Sequence, residues 1–259
     1  MSLQRRTVLG AGALLPALVP GLAAAGAGLT AATAGDSRLF ELRQYTLRRG
    51  QRDVLATMFE RYFVQPQEDV GAHVLGTFRD LDDPDRFVWM REFASLEARK
   101  KALEGFYFGP VWKAHRSDAN ATILDSDNVL LLRGVPLSPF VQQAWPRDSE
   151  VDVSIHYLGA ADTQAFLIFF DEHVEPLLAA RGSRPILRLV TAEVENNFPR
   201  LPVRDKDRVF VRLATRSRAG AEQLPGGWRD PAPEAVLSAF MRKPERLRLA
   251  PIMRPRPVV

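Results

Sequence analysis

Between Phe106 and Asn120 the chain gathers its densest set of side chains able to do chemistry: Tyr107, Trp112, His115, Arg116 and Asn120. An aromatic wall, a titratable imidazole, a permanent cation and an amide are groups that can hold and act on a small planar ligand. Trp112 and Arg116 are four residues apart and Trp112 and His115 three, so a single helical stretch makes them neighbours. The competing reading has the aromatics sealing a sheet while His115 and Arg116 face water. Two strand-like segments add to the set. Along residues 39–45, alternation puts Glu41, Arg43 and Tyr45 on one face, opposite Phe40 and Leu42. That row could line a cavity, or it could meet a second sheet with Glu41 paired to Arg43 or to a base across the seam. Trp89 and Arg91 share a face of another strand, where they either grip a planar anion by stacking and charge or simply pack.

Other chemistries are excluded or disfavoured. The 259 residues include no cysteine, which removes disulfides, thiolate nucleophiles, Cys-ligated zinc and iron–sulfur clusters. His73, His115, His156 and His173 are scattered and form no pair at metal-binding spacing, so no metal is expected. Gly105 and Gly226-Gly227 lack the context of a phosphate cradle, and no Gly-x-Ser-x-Gly elbow occurs. Asp80, Asp82, Asp83 and Asp85 surround Pro84 as a hairpin turn would. With 46% hydrophobic and 25% charged residues the composition is that of a soluble globular protein. The net charge of +4 comes from Lys and Arg interleaved with Asp and Glu, and the Arg254-Pro255-Arg256-Pro257 stretch is short, so nucleic acid is not an expected partner.

Residues 1–34 read as an export signal. Their only charges are Arg5 and Arg6, followed by an uncharged run diluted with Gly and Ala, and Gln4-Arg5-Arg6-Thr7-Val8-Leu9-Gly10 resembles a twin-arginine motif. Pro16 and Pro20 argue against a stable spanning helix. Cleavage after Ala32-Thr33-Ala34 would leave a periplasmic or extracellular protein with no membrane span, its formal charge reduced to +2 by loss of the two arginines.

The remaining chain repeats one order of elements. In the first half, residues 38–135, the pattern predicts a strand at 39–45 and a helix with the stripe Leu55, Met58, Phe59, Tyr62 and Phe63, closed by Pro66 and Gly71. Strands at 74–79 and 86–93, helices at 96–103 (capped by Ser95) and 110–119, and a strand at 129–132 follow. In the second half, residues 150–256, a strand at 151–158 leads to a helix capped by Asp162 with the stripe Ala165, Ile168, Phe169, Val174 and Leu177. Strands at 188–194 and 208–214, a helix at 233–241 and a strand at 247–253 complete it. Phe63 pairs with His173, which would then be partly buried, and Tyr45 with Tyr157 and Gly71 with Gly182. The pattern is that of an α+β fold of tandem ferredoxin-like repeats. Each repeat leaves one sheet face uncovered, so the two halves should close on each other as a barrel-like sandwich.

Glu41-Leu42-Arg43-Gln44-Tyr45-Thr46-Leu47, then Phe87-Val88-Trp89-Met90-Arg91, Phe106-Tyr107-Phe108-Gly109-Pro110-Val111-Trp112 and Asp127-Asn128-Val129-Leu130-Leu131 resemble the NIPSNAP family, strongly in the first half and weakly in the second. The resemblance implies the dimeric alpha-beta barrel superfamily, whose members include cofactor-independent monooxygenases and heme enzymes. It carries no agreed reaction, and fold alone does not supply one. The expectation is an exported protein that binds a small apolar or aromatic ligand, with oxygenase-like activity as its enzymatic form and a non-catalytic binding or interaction module as the alternative. The candidate ligand residues are Arg43, Tyr45, Trp89, Arg91, Tyr107, Trp112, His115, Arg116 and Asn120. No cofactor is called for, though a lone His115 or His156 could serve as an axial heme ligand by analogy with those relatives. Self-association into a homo-oligomer is left open.

Overall fold

The structure, a computed structural model, describes residues 37–135, 149–217 and 244–253. The expected export signal at 1–34 and the expected helix at 233–241 lie outside the described residues. β1 (Leu39–Leu47) is buried along almost its whole length, which only a strand covered on both faces can be. A helical stretch follows as α1 (Arg52–Met58), a π-helical turn (Phe59–Phe63) and α2 (Val64–Asp69). Next come β2 (His73–Asp80), β3 (Arg86–Phe93), α3 (Leu96–Tyr107), α4 (Pro110–Thr122) and the long β4 (Ile123–Gly134). The second half runs β5 (Ser149–Tyr157), α5 (Thr163–Phe169), a π-helical turn (Phe170–Val174), α6 (Glu175–Ala180), β6 (Arg184–Thr191), β7 (Val209–Ser217) and β8 (Glu245–Met253).

The eight strands close into one barrel in the order β1-β3-β2-β8-β5-β7-β6-β4. Each half supplies a ferredoxin-like set of four strands, and the halves join where β4 pairs with β6 and β2 with β8. This is an α+β fold of tandem ferredoxin-like repeats forming an intramolecular dimeric α–β barrel. Inside it, Phe40, Leu42 and Met90 of the first half meet Val153, Ile155 and Leu213 of the second. Among the described residues no helix is long and apolar enough to cross a membrane.

Capping is as expected: Ser95 Oγ accepts from the Ala98 amide at 3.1 Å and Asp162 Oδ1 from the Ala165 amide at 2.7 Å. Gly71 (φ 85°) and Gly182 (φ 76°) end the two helical stretches in the left-handed conformation that glycine tolerates.

Three expectations are corrected. Pro66 lies inside the helical stretch instead of closing it. Val64 N already donates five residues back to Phe59 O, so the bond Pro66 cannot make falls beside an existing change of helical register. The second half's stripe is displaced. Phe166, Phe170, Val174 and Leu178 are the apolar side chains buried, whereas Ile168 is 49% and Leu177 42% exposed. A four-residue spacing drifts around an ordinary α-helix, and the wider π turn takes up that drift. The register of the duplication is also shifted. The π turns equate Phe59 with Phe170 and Phe63 with Val174, leaving His173 exposed. On the strands His156, not Tyr157, occupies the place of Tyr45. Tyr157 turns into the barrel, because a one-residue slip moves a strand side chain to the other face.

The two stripes predict opposite mutational costs. Phe170→Ala should lower stability by about 3–5 kcal/mol, whereas Ile168→Ala should stay within about 0.5 kcal/mol. Urea unfolding of both variants checks this, and the reverse order would restore the stripe expected from the sequence.

Candidate functional site

The face of β1 that carries Glu41, Arg43 and Tyr45 looks away from the barrel interior, toward the helices of the first half. The second sheet does not cover it; the more apolar face, with Phe40 and Leu42, takes that contact. Strand register sets Glu41 opposite Arg91, Arg43 opposite Trp89 and Tyr45 opposite Phe87, so β1 and β3 present one mixed charged and aromatic floor. The helices supply the roof with Phe59, Phe63, Phe106, Tyr107 and Trp112.

Glu41 is the centre of this layer and is 0% exposed. Oε2 accepts from Arg43 Nη1 at 2.8 Å and from Arg91 Nε at 2.8 Å, and Oε1 accepts from Arg99 Nε at 2.7 Å. Arg91 Nη2 also lies 2.7 Å from Oε2, as an ion-pair contact without hydrogen-bond geometry. Each guanidinium has a further tie. Arg43 Nε donates to the Tyr45 hydroxyl (3.0 Å), Arg91 Nη1 to Gln67 Oε1 (2.7 Å), and Arg99 Nη1 to Asn196 Oδ1 (3.1 Å) and Asn197 Oδ1 (2.8 Å). One carboxylate against three fully buried guanidiniums leaves a formal excess of two positive charges. Burial is the largest single influence on the Glu41 carboxyl and opposes its ionisation, yet Arg91, Arg43 and Arg99 together hold it well below the ordinary carboxylate range. Burial pushes the Tyr107 phenol up.

Rings enclose the charges. The Arg91 guanidinium sits 5.0 Å from the Trp89 ring centroid and 6.0 Å from that of Tyr107, and Arg43 lies 5.5 Å from Trp89. Trp112, itself half-buried, packs against the half-buried Tyr107 (4.9 Å) and the buried Phe63 (5.5 Å). Its position depends on the corner between α3 and α4. A Cβ on Gly109 would come within 2.6 Å of Gly105 O, so only glycine fits, and Pro110 then opens α4.

The structure brings Arg43, Tyr45, Trp89, Arg91, Tyr107 and Trp112 together. His115 stacks on Tyr62 at 3.9 Å, at the outer edge of the same aromatic group. Arg116 and Asn120 are exposed and stand apart from it. The inner side of α4 carries Trp112, His115, Ala119 and Thr122, which rotates Arg116 and Asn120 outward. Sequence reasoning missed four contributors: Gln67, Arg99, Asn196 and Asn197. Arg99 had a readable signal, since it falls in line with Ala102, Leu103 and Phe106 on the apolar side of α3. The two asparagines sit in an irregular segment and carry no such signal.

The equivalent layer of the second half is built differently. Asp152, Ser154 and His156 replace Glu41, Arg43 and Tyr45 on the strand. Arg212 has its own carboxylate in Glu175 (2.9 and 2.5 Å), and Arg188 contacts Asp171 at 2.7 Å. His156 donates or accepts at Nε2 with Ser154 Oγ (3.2 Å) beside a cavity of about 10 Å³, the space of a single water. Burial first, then Arg246 and Arg212, push the imidazole down to about 3, so it is neutral near pH 7.

These features of the first half fall within a stretch that matches a family model. Residues 40–139 match the NIPSNAP family model. The NIPSNAP region thus contains Glu41, all three arginines and the aromatic roof, while Asn196 and Asn197 lie outside it. The whole barrel is similar to three solved structures. They are a provisionally assigned monooxygenase of Fusobacterium nucleatum (9% identity, 84% of this chain and 93% of that one, TM-score 0.56), another of Lactobacillus acidophilus (11%, 83% and 94%, TM-score 0.51), and an anthrone oxidase-like protein (13%, 84% and 92%, TM-score 0.54). At such identities the likeness is one of fold. No curated protein matches the chain.

Two acid-sensitive groups should be separable. Glu41 has a depressed folded pKa, so its contribution is complete above 4.5 and is lost progressively as pH falls below that. His156, also depressed, contributes fully above 6.5 and loses that contribution as pH falls toward about 3. Glu41→Gln, which strands three guanidiniums, should cost about 3–5 kcal/mol at pH 7 and flatten the decline of Tm below pH 4.5. His156→Phe should flatten it already between pH 6.5 and 4.5. Thermal unfolding across this range tests both, and unchanged slopes would refute the assignments.

Proposed function

We propose that the helix–sheet layer of the first half binds a small planar aromatic ligand and acts on it as a cofactor-free oxygenase. The observation that carries this reading is the buried excess of two positive charges walled by Trp89, Tyr107 and Trp112. A flat aromatic ring with an acidic hydroxyl would match both the rings and the charge, since cations nearby favour its deprotonated form. The name of the anthrone oxidase-like neighbour suggests a probe of that chemical class. In the oxygenase form of the reading, a CH2 between aryl groups becomes C=O, with dioxygen supplying the carbonyl oxygen and its second atom leaving as water with the two hydrogens.

One observation favours a purely binding role. Glu41, the buried carboxylate of the layer, is already engaged by three guanidiniums and is not free to take a proton. Dithranol, an anthrone, separates the cases when its binding is followed by tryptophan fluorescence and its turnover by an oxygen electrode. Binding with oxygen uptake supports the enzyme, binding without uptake supports the binding module, and no binding rejects both. Trp112→Ala should weaken binding at least tenfold while lowering stability by less than the about 3–5 kcal/mol of a fully buried aromatic.

We further propose that residues 1–34 direct export by the twin-arginine route, so that this chemistry takes place outside the cytoplasm. Replacing Arg5 and Arg6 with Lys should retain the protein inside the cell in a fractionation assay; continued export of that variant would count against the assignment.

A further inference from the structure

The arginines of the first-half layer are not equally committed. Arg43 is held by Glu41 and the Tyr45 hydroxyl, and Arg91 by Glu41 and Gln67, with its Nη2, which makes no hydrogen bond, still 2.7 Å from Glu41 Oε2 as an ion pair. Arg99 is held by Glu41 at Nε and by Asn196 and Asn197 at Nη1, and its Nη2 has no hydrogen-bond partner although it is buried. A buried donor left unmade is costly, so it marks a place where a partner is expected.

The two asparagines belong to the segment between β6 and β7, in the half of the chain that the NIPSNAP match does not reach. Both are fixed in turn. Asn197 Nδ2 donates to Leu96 O at 2.6 Å, on the first turn of α3, and Asn196 Nδ2 donates to Leu201 O at 2.9 Å. Phe198 is buried beside Phe93, Ala102 and Leu103, and its ring stacks on Tyr107 at 6.0 Å and 30°. The same segment therefore touches the cation, the helix that carries it and one wall of the aromatic roof.

We infer that Asn196 and Asn197 are positioning residues by which the second half completes the first half's site, holding Arg99 so that Nη2 remains the donor for an oxyanion on the ligand. This rests on the reading of the first-half layer as a ligand site. A guanidinium pinned at two nitrogens has a fixed plane and loses little further freedom when the third nitrogen is used. The amides are suited to the task because they accept from the guanidinium without cancelling its charge, which a carboxylate in their place would do. The ligand class that follows is an acidic aromatic hydroxyl compound bound as its anion.

The test uses the full chain without its leader and 4-nitrophenol, whose phenolate is read by its visible absorbance. The wild type should bind it and lower its bound pKa by about one unit or more, a tenfold preference for the anion. Asn197→Ala and, independently, Asn196→Ala should each reduce that shift while leaving the affinity for the neutral phenol at low pH unchanged. Asn197→Asp, which keeps an acceptor but adds a negative charge beside Arg99, should reduce it most. A purely structural role would weaken both forms of the probe together and give the alanine and aspartate variants no such order. If the wild type neither binds the probe nor shifts its pKa, the ligand-site reading itself fails. If the wild type shifts it and all three variants shift it equally, the positioning role is overturned.

Discussion

A single carboxylate with no access to water, surrounded by three guanidiniums, is the constraint on which the first half is organised. An isolated buried charge is prohibitively expensive, and a buried pair is acceptable only where geometry is good and the remaining donors are used. Glu41 meets that condition by drawing its partners from three elements: Arg43 from the same strand, Arg91 from the neighbouring strand and Arg99 from α3. Because those partners cannot be satisfied unless β1, β3 and α3 are all in place, the network fixes how the helix lies on the sheet. Apolar packing around it, from Phe59 and Phe63 to Trp89, excludes water and so strengthens each contact.

That arrangement is possible because the barrel closes on its other face. Duplication of a ferredoxin-like unit supplies two sheets, each with one apolar face that needs cover, and pairing β4 with β6 and β2 with β8 turns the two faces into one interior. The interior then carries the largest apolar cluster, and the outward faces of β1 and β3 hold polar and aromatic groups beneath the helices. The second half inherits the same geometry, with a π turn at the same place in its helical stretch, but fills it with different residues.

Much of this was legible in the sequence, and the failures share a cause. Alternation on β1 separated Glu41, Arg43 and Tyr45 from Phe40 and Leu42 correctly, yet it could not say which face would meet the other sheet. Only the closure of the barrel decides that, and closure is a long-range property. The expected helix stripe of the second half shares only Val174 with the buried one, and the pairing of Tyr45 is one residue out, because a π turn and a strand register are invisible to fixed periods. Arg99 lies among Glu97, Lys100 and Lys101, which masks it as a charged residue of an exposed face, although its spacing to Ala102, Leu103 and Phe106 points inward. Asn196 and Asn197 act across about a hundred residues of sequence, on a helix of the other repeat, and no local pattern encodes such a contact.

The contrast between the two layers bears on where function resides. In the second half Arg212 and Arg188 each face a carboxylate of their own, and His156 is kept neutral by burial and by the arginines near it. Such a balanced set holds helices to a sheet and asks for nothing more. In the first half the same job could have been done by three acids, yet one serves three arginines, and the imbalance is left inside the protein where it is most costly. Sequences agree with their folds at most positions and depart from them where something other than stability is being selected. A cation excess walled by aromatic rings is a departure of that kind, and it is the feature on which the proposed binding of an anionic ligand rests.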